Sequence, residues 1–123
     1  MARIMIADDS PVNQTVYAFI LEKAEHEVLL ADNGVEAWEQ LQKDMVDLLI
    51  TDISMPEMDG PTLLGHIRQS ASLERLPVVM LTGIGADDKR LQSLAVDADA
   101  LLTKPTSSWE LLSTVEGLLE RRS

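Results

Sequence analysis

Short apolar runs alternate with longer stretches of helical period along this chain. The runs are Ile4–Ala7, Val28–Ala31, Val46–Ile50, Leu76–Leu81 and Ala100–Leu102. They are mostly unbroken rather than alternating apolar and polar, as strands buried on both faces are. The stretch after the first run carries Val12, Val16, Phe19 and Ile20 at i, i+4, i+7 and i+8. That spacing predicts one buried stripe. Ser10 is placed to cap this helix, and Pro11 suits its first turn. Leu63, Leu64 and Ile67 form a second clear stripe after Asp59-Gly60-Pro61, and Leu111, Leu112, Val115, Leu118 and Leu119 form a third. Ser107 and Glu110 have capping-box spacing ahead of the last. Weaker stripes lie at Val35, Trp38 and Leu41, and at Leu91, Leu94 and Ala95. Turn signals separate the elements: Asn33-Gly34, Pro56, Asp59-Gly60, Gly83 and Gly85. The pattern predicts five strands alternating with five helices, (βα)5. Such alternation implies a parallel sheet with helices on both faces.

Composition narrows the partners. The chain has 123 residues, of which 46% are hydrophobic, enough for one packed domain. Ten basic against 21 acidic side chains leave a net charge of −11. That balance argues against direct binding of nucleic acid or an anionic membrane. No cysteine is present, which removes disulfides, thiolate metal sites and a thiol nucleophile. No apolar run approaches a membrane span, and Met1-Ala2-Arg3-Ile4 does not resemble a signal peptide. The expectation is a cytoplasmic protein. Aromatic residues are only 3%, which disfavours sites that stack flavins or bases.

In an open parallel sheet, ligands bind beyond the carboxyl ends of the strands. The residues just past the runs are Asp8 and Asp9, Asp52, Thr82 and Lys104. Taken singly, each has an ordinary explanation: a helix cap, a turn, a strand end, a solvated lysine. Together they suit one chemistry. Three converging carboxylates repel unless a cation joins them. Oxygen ligands without His or Cys select a hard cation such as Mg²⁺. Lys104 adds a positive charge, Thr82 a hydroxyl, and Gly83 leaves room for a close ligand. A carboxylate flanked by Mg²⁺ and Lys can accept a phosphoryl group.

These residues, with Asp52 in Asp-Ile-Ser-Met-Pro-Glu-Met-Asp-Gly and the Lys104-Pro105 pair, resemble the receiver domain of two-component response regulators. The resemblance spans residues 1–123. It implies a flavodoxin-like three-layer sandwich with strand order 2-1-3-4-5, an order known for such folds. It implies that Asp52 is the phosphoacceptor, and that Asp8, Asp9, Asp52 and the Ser54 backbone carbonyl hold Mg²⁺. Thr82, Gly83 and Lys104 would bind the phosphoryl group, with a cis Lys104-Pro105 bond. The donor would be a histidine kinase or a histidine phosphotransfer protein. The signal would leave through the fourth helix, fifth strand and fifth helix to a downstream effector. The Val12-Asn13-Gln14 segment resembles receivers attached to hybrid histidine kinases.

Two positions depart from the family pattern. Leu101 stands where Tyr or Phe usually accompanies Thr82 as a switch. Asp97 stands where Gly usually ends a helix, often in a left-handed conformation. Two other functions compete with this one. A small Mg²⁺-dependent phosphatase with an Asp nucleophile wants Asp-x-Asp after the first strand, and here Asp8 and Asp9 are adjacent. A flavodoxin-like binder wants a Ser/Thr/Gly phosphate loop and stacking aromatics, which Asp8-Asp9-Ser10-Pro11 does not supply. His26 and His66 are expected to be structural or solvated, and the methionines mostly core filler. Trp109 is expected to pack at the edge of the last helix's apolar stripe.

Overall fold

In the computed structural model, which describes residues 1–83 and 86–122, all five runs become strands and each is followed by a helix. The elements are β1 (Arg3–Ala7), α1 (Pro11–Lys23), β2 (Glu27–Ala31), α2 (Gly34–Leu41), β3 (Leu48–Asp52), α3 (Gly60–Gln69), β4 (Val78–Thr82), α4 (Ala86–Gln92), β5 (Ala100–Thr103) and α5 (Ser108–Arg122). The sheet is parallel throughout, in the order β2-β1-β3-β4-β5. β3 and β4 are buried at every position, whereas the edge strands β2 and β5 are partly exposed.

The sheet separates two apolar layers. Met5, Leu49, Val78 and Met80 face α2, α3 and α4 through Ala37, Leu63, Ile67 and Leu91. Ile4, Ile6, Leu48, Ile50, Val79 and Leu81 face α1 and α5 through Tyr17, Leu21, Leu111 and Val115. Strand alternation therefore decides which layer each residue past a strand end will join. Asp8 continues the Ile4–Ile6 series, Asp52 the Leu48–Ile50 series and Lys104 the Ala100–Leu102 series. All three head for the α1/α5 side. Thr82 follows Val78 and Met80 and belongs to the other side.

Local signals explain most element ends. Ser10 accepts the expected cap bond from the Asn13 backbone N–H, and Asn33 and Asp59, at the expected turns, cap α2 and α3 by accepting from the Glu36 and Thr62 N–H groups. The Ser107 hydroxyl likewise accepts from the Glu110 N–H at 3.0 Å. Glu110 completes the cap differently from a capping box, because its carboxylate accepts the Thr106 hydroxyl. Gly85, one of the expected turn residues, lies outside the described residues.

Three expectations about apolar residues are corrected. The buried face of α1 is Gln14, Tyr17 and Leu21, while Val12, Val16 and Phe19 are 71%, 48% and 62% exposed. Leu91 and Ala95 are buried as expected, but Leu94 is exposed beyond the end of α4. Trp109 projects from the first turn of α5 into solvent, 77% exposed, instead of packing at its stripe. Met5, Met55 and Met80 do fill core space, whereas Met1 and Met45 are exposed.

Asp97 is also different from expectation. It is not among the described non-glycine residues with positive φ. Its carbonyl instead accepts two bonds from the Arg68 guanidinium, at 3.3 and 3.0 Å. The same guanidinium donates to the carbonyls of Glu74 and Leu76 and pairs with Asp99 at 2.9 Å. Asp99 in turn accepts from the Val78 N–H. One side chain thus ties the end of α3 to the segments leading into β4 and β5. The two histidines differ: His26 is structural and His66 is exposed. His26 is buried, accepts from the Ala2 N–H at Nδ1 and faces Glu116 at Nε2. His66 lies against the Trp38 ring.

Candidate functional site

The carboxyl end of the sheet gathers the expected acidic residues. Asp8, Asp9 and Asp52 each offer an oxygen within 4.8 Å of the others. Asp8 and Asp52 are buried and Asp9 is exposed. Lys104 reaches in from beyond β5, with Nζ 2.9 Å from Asp52 Oδ2 and 3.6 Å from Asp8 Oδ2. The Lys104-Pro105 bond is cis, as the resemblance implied.

Asp8 is hydrogen-bonded on one side only. Its Oδ1 accepts the Ser10 N–H at 2.9 Å, which turns the chain into α1. Its Oδ2 is buried without a hydrogen bond and faces the Lys104 ammonium at 3.6 Å. A buried carboxylate oxygen in that condition is costly unless something binds it. An oxygen-only donor set with one orphaned oxygen fits a hard divalent cation.

Burial raises the pKa of Asp52, and Asp8 adds to the rise, while Lys104 and the Ser54 N–H counter it. Burial also acts on Lys104, in the lowering direction. There it is overcome by the bond and charge of Asp52 and the charge of Asp8, so the ammonium is held above its ordinary range. The two partners of one ion pair therefore both shift upward. Asp52 is the more deeply buried of the two, and Lys104 answers two carboxylates, so the pocket carries excess negative charge. Tyr17 is raised as well, by burial first, with Asp8 and Asp52 reinforcing and Lys104 opposing.

The remaining expected residues lie on or just beyond the neighbouring strands. Thr82 ends β4 and is buried, and its hydroxyl donates to the Gly83 carbonyl at 3.3 Å. Ser54 is exposed, directly beyond β3. Leu101 is 40% exposed on β5 and pairs in register with Met80, on the same side of the sheet as Thr82. The loop from Asp52 to α3 is held by close backbone packing. A Cβ on Gly60 would sit 2.6 Å from the Asp52 carbonyl oxygen, and one on Gly34 2.3 Å from that of Met58. Glu57 in this loop has a φ of 68° and accepts a bond from Asn33 Nδ2.

Sequence reasoning missed Gln14 and Tyr17. Both lie on the buried face of α1, and Gln14 Nε2 donates to the Asp8 carbonyl at 2.6 Å. The available signal was phase: Gln14 is three residues before Tyr17 and seven before Leu21.

An acidic triad and a lysine at the carboxyl end of a 2-1-3-4-5 parallel sheet define a receiver. Residues 4–116 match the family described as the response regulator receiver domain, and the chain belongs to that family. It is 39% identical over 120 residues to response regulator Rre1 of Synechocystis, covering 97% of this chain and 52% of that protein. It is 35% identical over 121 residues to the phosphate regulon regulator PhoB of Rhizobium meliloti, covering 98% of this chain and 53% of PhoB. The chain thus spans about half the length of these two regulators. Among solved structures, the signal receiver domain of a signal transduction histidine kinase from Syntrophus aciditrophicus superposes with a TM-score of 0.91. Identity is 34%, over 98% of this chain and 92% of that one. The receiver domain of the sensor histidine kinase PA1611 from Pseudomonas aeruginosa, with a magnesium ion coordinated in its active-site cleft, gives 0.88 at 25% identity, over 97% and 98%. These findings support the receiver and lend nothing to the phosphatase alternative. No described helix is long and apolar enough to cross a membrane.

Proposed function

We propose that this receiver accepts a phosphoryl group on Asp52 from a phosphohistidine of a histidine kinase or phosphotransfer protein. The observation that carries the assignment is the Lys104 ammonium 2.9 Å from a buried Asp52 carboxylate, beside two further carboxylates. An Asp52 oxygen attacks phosphorus, the new P–O bond forms, and the P–N bond to the donor imidazole breaks. The electron pair leaves with that imidazole. Lys104 pairs with a phosphoryl oxygen as charge moves onto it, and the Thr82 hydroxyl and Gly83 backbone approach the others. Asp8, Asp9 and Asp52, with the Ser54 carbonyl, would hold Mg²⁺. When bound, Mg²⁺ neutralises the crowded carboxylates and the incoming phosphoryl oxygens. The protein is its own phosphoryl acceptor and does not turn over a small substrate.

The exposed Val12, Val16 and Phe19 give α1, which starts at the mouth of the pocket, an apolar strip suited to a donor protein. Thr82 is the switch residue toward α4, β5 and α5, where a downstream effector would read the change, and Leu101, with no ring or hydroxyl to follow Thr82, weakens that coupling.

Intact-mass spectrometry after incubation with acetyl phosphate and Mg²⁺ tests the assignment. The wild type should gain one phosphoryl group and Asp52→Asn none. Labelling of the variant would move the acceptor elsewhere.

A further inference from the structure

We infer that Gln14 is a positioning residue for the cation site, acting through the backbone of Asp8. This rests on the reading of Asp8, Asp9 and Asp52 as a Mg²⁺ site. The β1–β2 ladder reaches the register pair Ala7 and Ala31, and the Asp8 N–H still bonds to the Ala31 carbonyl. The next group in line, the Asp8 carbonyl, lies beyond β2. Gln14 Nε2 donates to it at 2.6 Å, and the same nitrogen lies 3.2 Å from the Ala31 carbonyl and 2.9 Å from Asp32 Oδ1. Three oxygens around one nitrogen settle the amide's orientation, since only the NH₂ end can donate to them. The side chain is buried on α1, so its bonds to the Asp8 and Ala31 carbonyls are made away from competing water.

Gln14 therefore extends the sheet's hydrogen bonding one step past the strand ends. By holding the Asp8 carbonyl, it fixes the Asp8–Asp9 peptide plane. That plane sets where Asp8 carries its orphaned Oδ2 and where the exposed Asp9 begins. Groups that orient metal ligands in this way often change affinity by tenfold or more when removed. Asp32 is a second anchor for the amide and touches neither Asp8 nor Asp9 in these bonds.

Calorimetric titration of the metal-free protein with Mg²⁺ tests the inference. Gln14→Met, of similar length and without donors, should raise the Mg²⁺ dissociation constant about tenfold or more. The labelling rate should recover at saturating Mg²⁺. Thr15→Ala, an exposed neighbour on α1 whose hydroxyl bonds only the Pro11 carbonyl, should bind Mg²⁺ as the wild type does. Equal affinity in Gln14→Met and wild type would overturn the inference. Failure of the wild type itself to bind Mg²⁺ would overturn the cation reading instead. A measurement on the wild type decides the matter if Gln14→Met does not fold. The Gln14 side-chain NH₂ signals should move during Mg²⁺ titration with the same midpoint as the Asp8 and Asp9 amides. Side-chain signals that stay fixed while those amides move would refute the role.

Discussion

Replacing Asp52 by Asn should stabilise the metal-free protein, although it removes one half of a close ion pair. At an effective dielectric constant near 20, the Lys104 contact at 2.9 Å is worth about 6 kcal/mol of attraction. Asp8, with an oxygen within 4.8 Å, returns about 3.5 kcal/mol of repulsion, and the exposed Asp9 adds a screened share. Together they leave about 2.5 kcal/mol of attraction before the Asp9 share is taken off. The cost of taking a carboxylate out of water exceeds that remainder and opposes the charge. Asn keeps a carbonyl oxygen for Lys104 and carries no charge. We expect a gain of about 1–2 kcal/mol, or roughly 4–8 °C in Tm for a domain of this size. The pH dependence follows from the raised pKa of Asp52, caused first by burial. As pH rises from the ordinary Asp value of 3.8, the unfolded chain releases this proton before the native state does. The wild type loses stability across that window and the variant does not. The variant's advantage therefore grows with pH, levels off above the native pKa, and vanishes in acid. Thermal and urea melts in a chelator, from acid to neutral pH, measure it. Saturating Mg²⁺ should reverse the order, since a ligand at a hundredfold its Kd adds about 2.7 kcal/mol to the wild type. A variant less stable than wild type in chelator at neutral pH would refute the reasoning, as would an advantage undiminished in acid.

Two further outcomes are expected. Arg68→Ala should cost about 1.5 kcal/mol in urea unfolding, because it leaves the part-buried Leu76 carbonyl without its donor and gives the exposed carbonyls of Asp97 and Glu74 to water; Arg68→Lys should recover less than half of that, as one ammonium cannot reproduce the fork. With a beryllofluoride phosphoryl mimic, amide shifts should be large near Asp52, Thr82 and Lys104 and weaker along Leu91–Ala95 and α5, and Leu101→Tyr should enlarge the distant set; distant shifts already as large in the wild type would refute this role for Leu101.

The strand order and the members of the acidic site were legible because buried parallel strands are unbroken apolar runs, and the site lies where each run stops. What escaped was which side of a helix faces inward. α1 is apolar on more than one side, so Val12, Val16 and Phe19 compete with Tyr17 and Leu21 for the core. The structure chooses the face that also presents Gln14, because carbonyls past the strand ends need a donor. Periodicity weighs hydrophobicity and does not register that need. Trp109 and Leu94 escaped for a related reason: an apolar side chain beside a stripe packs inward only if the layer has space for it. Asp97 looked like a strained substitution for Gly, but an arginine 29 residues away determines its surroundings.

That arginine also has a mechanical consequence. The chain leaving α4 runs through Asp97 and Asp99, both gripped by Arg68, while the opposite end of α4 begins a few residues after Thr82. Should phosphorylation draw Thr82 toward Asp52, a helix held beyond its far end by Arg68 is expected to swing more than to slide. Displacement should therefore be largest at the Thr82 end of α4 and fall toward Ala95, which makes α4 a lever rather than a piston.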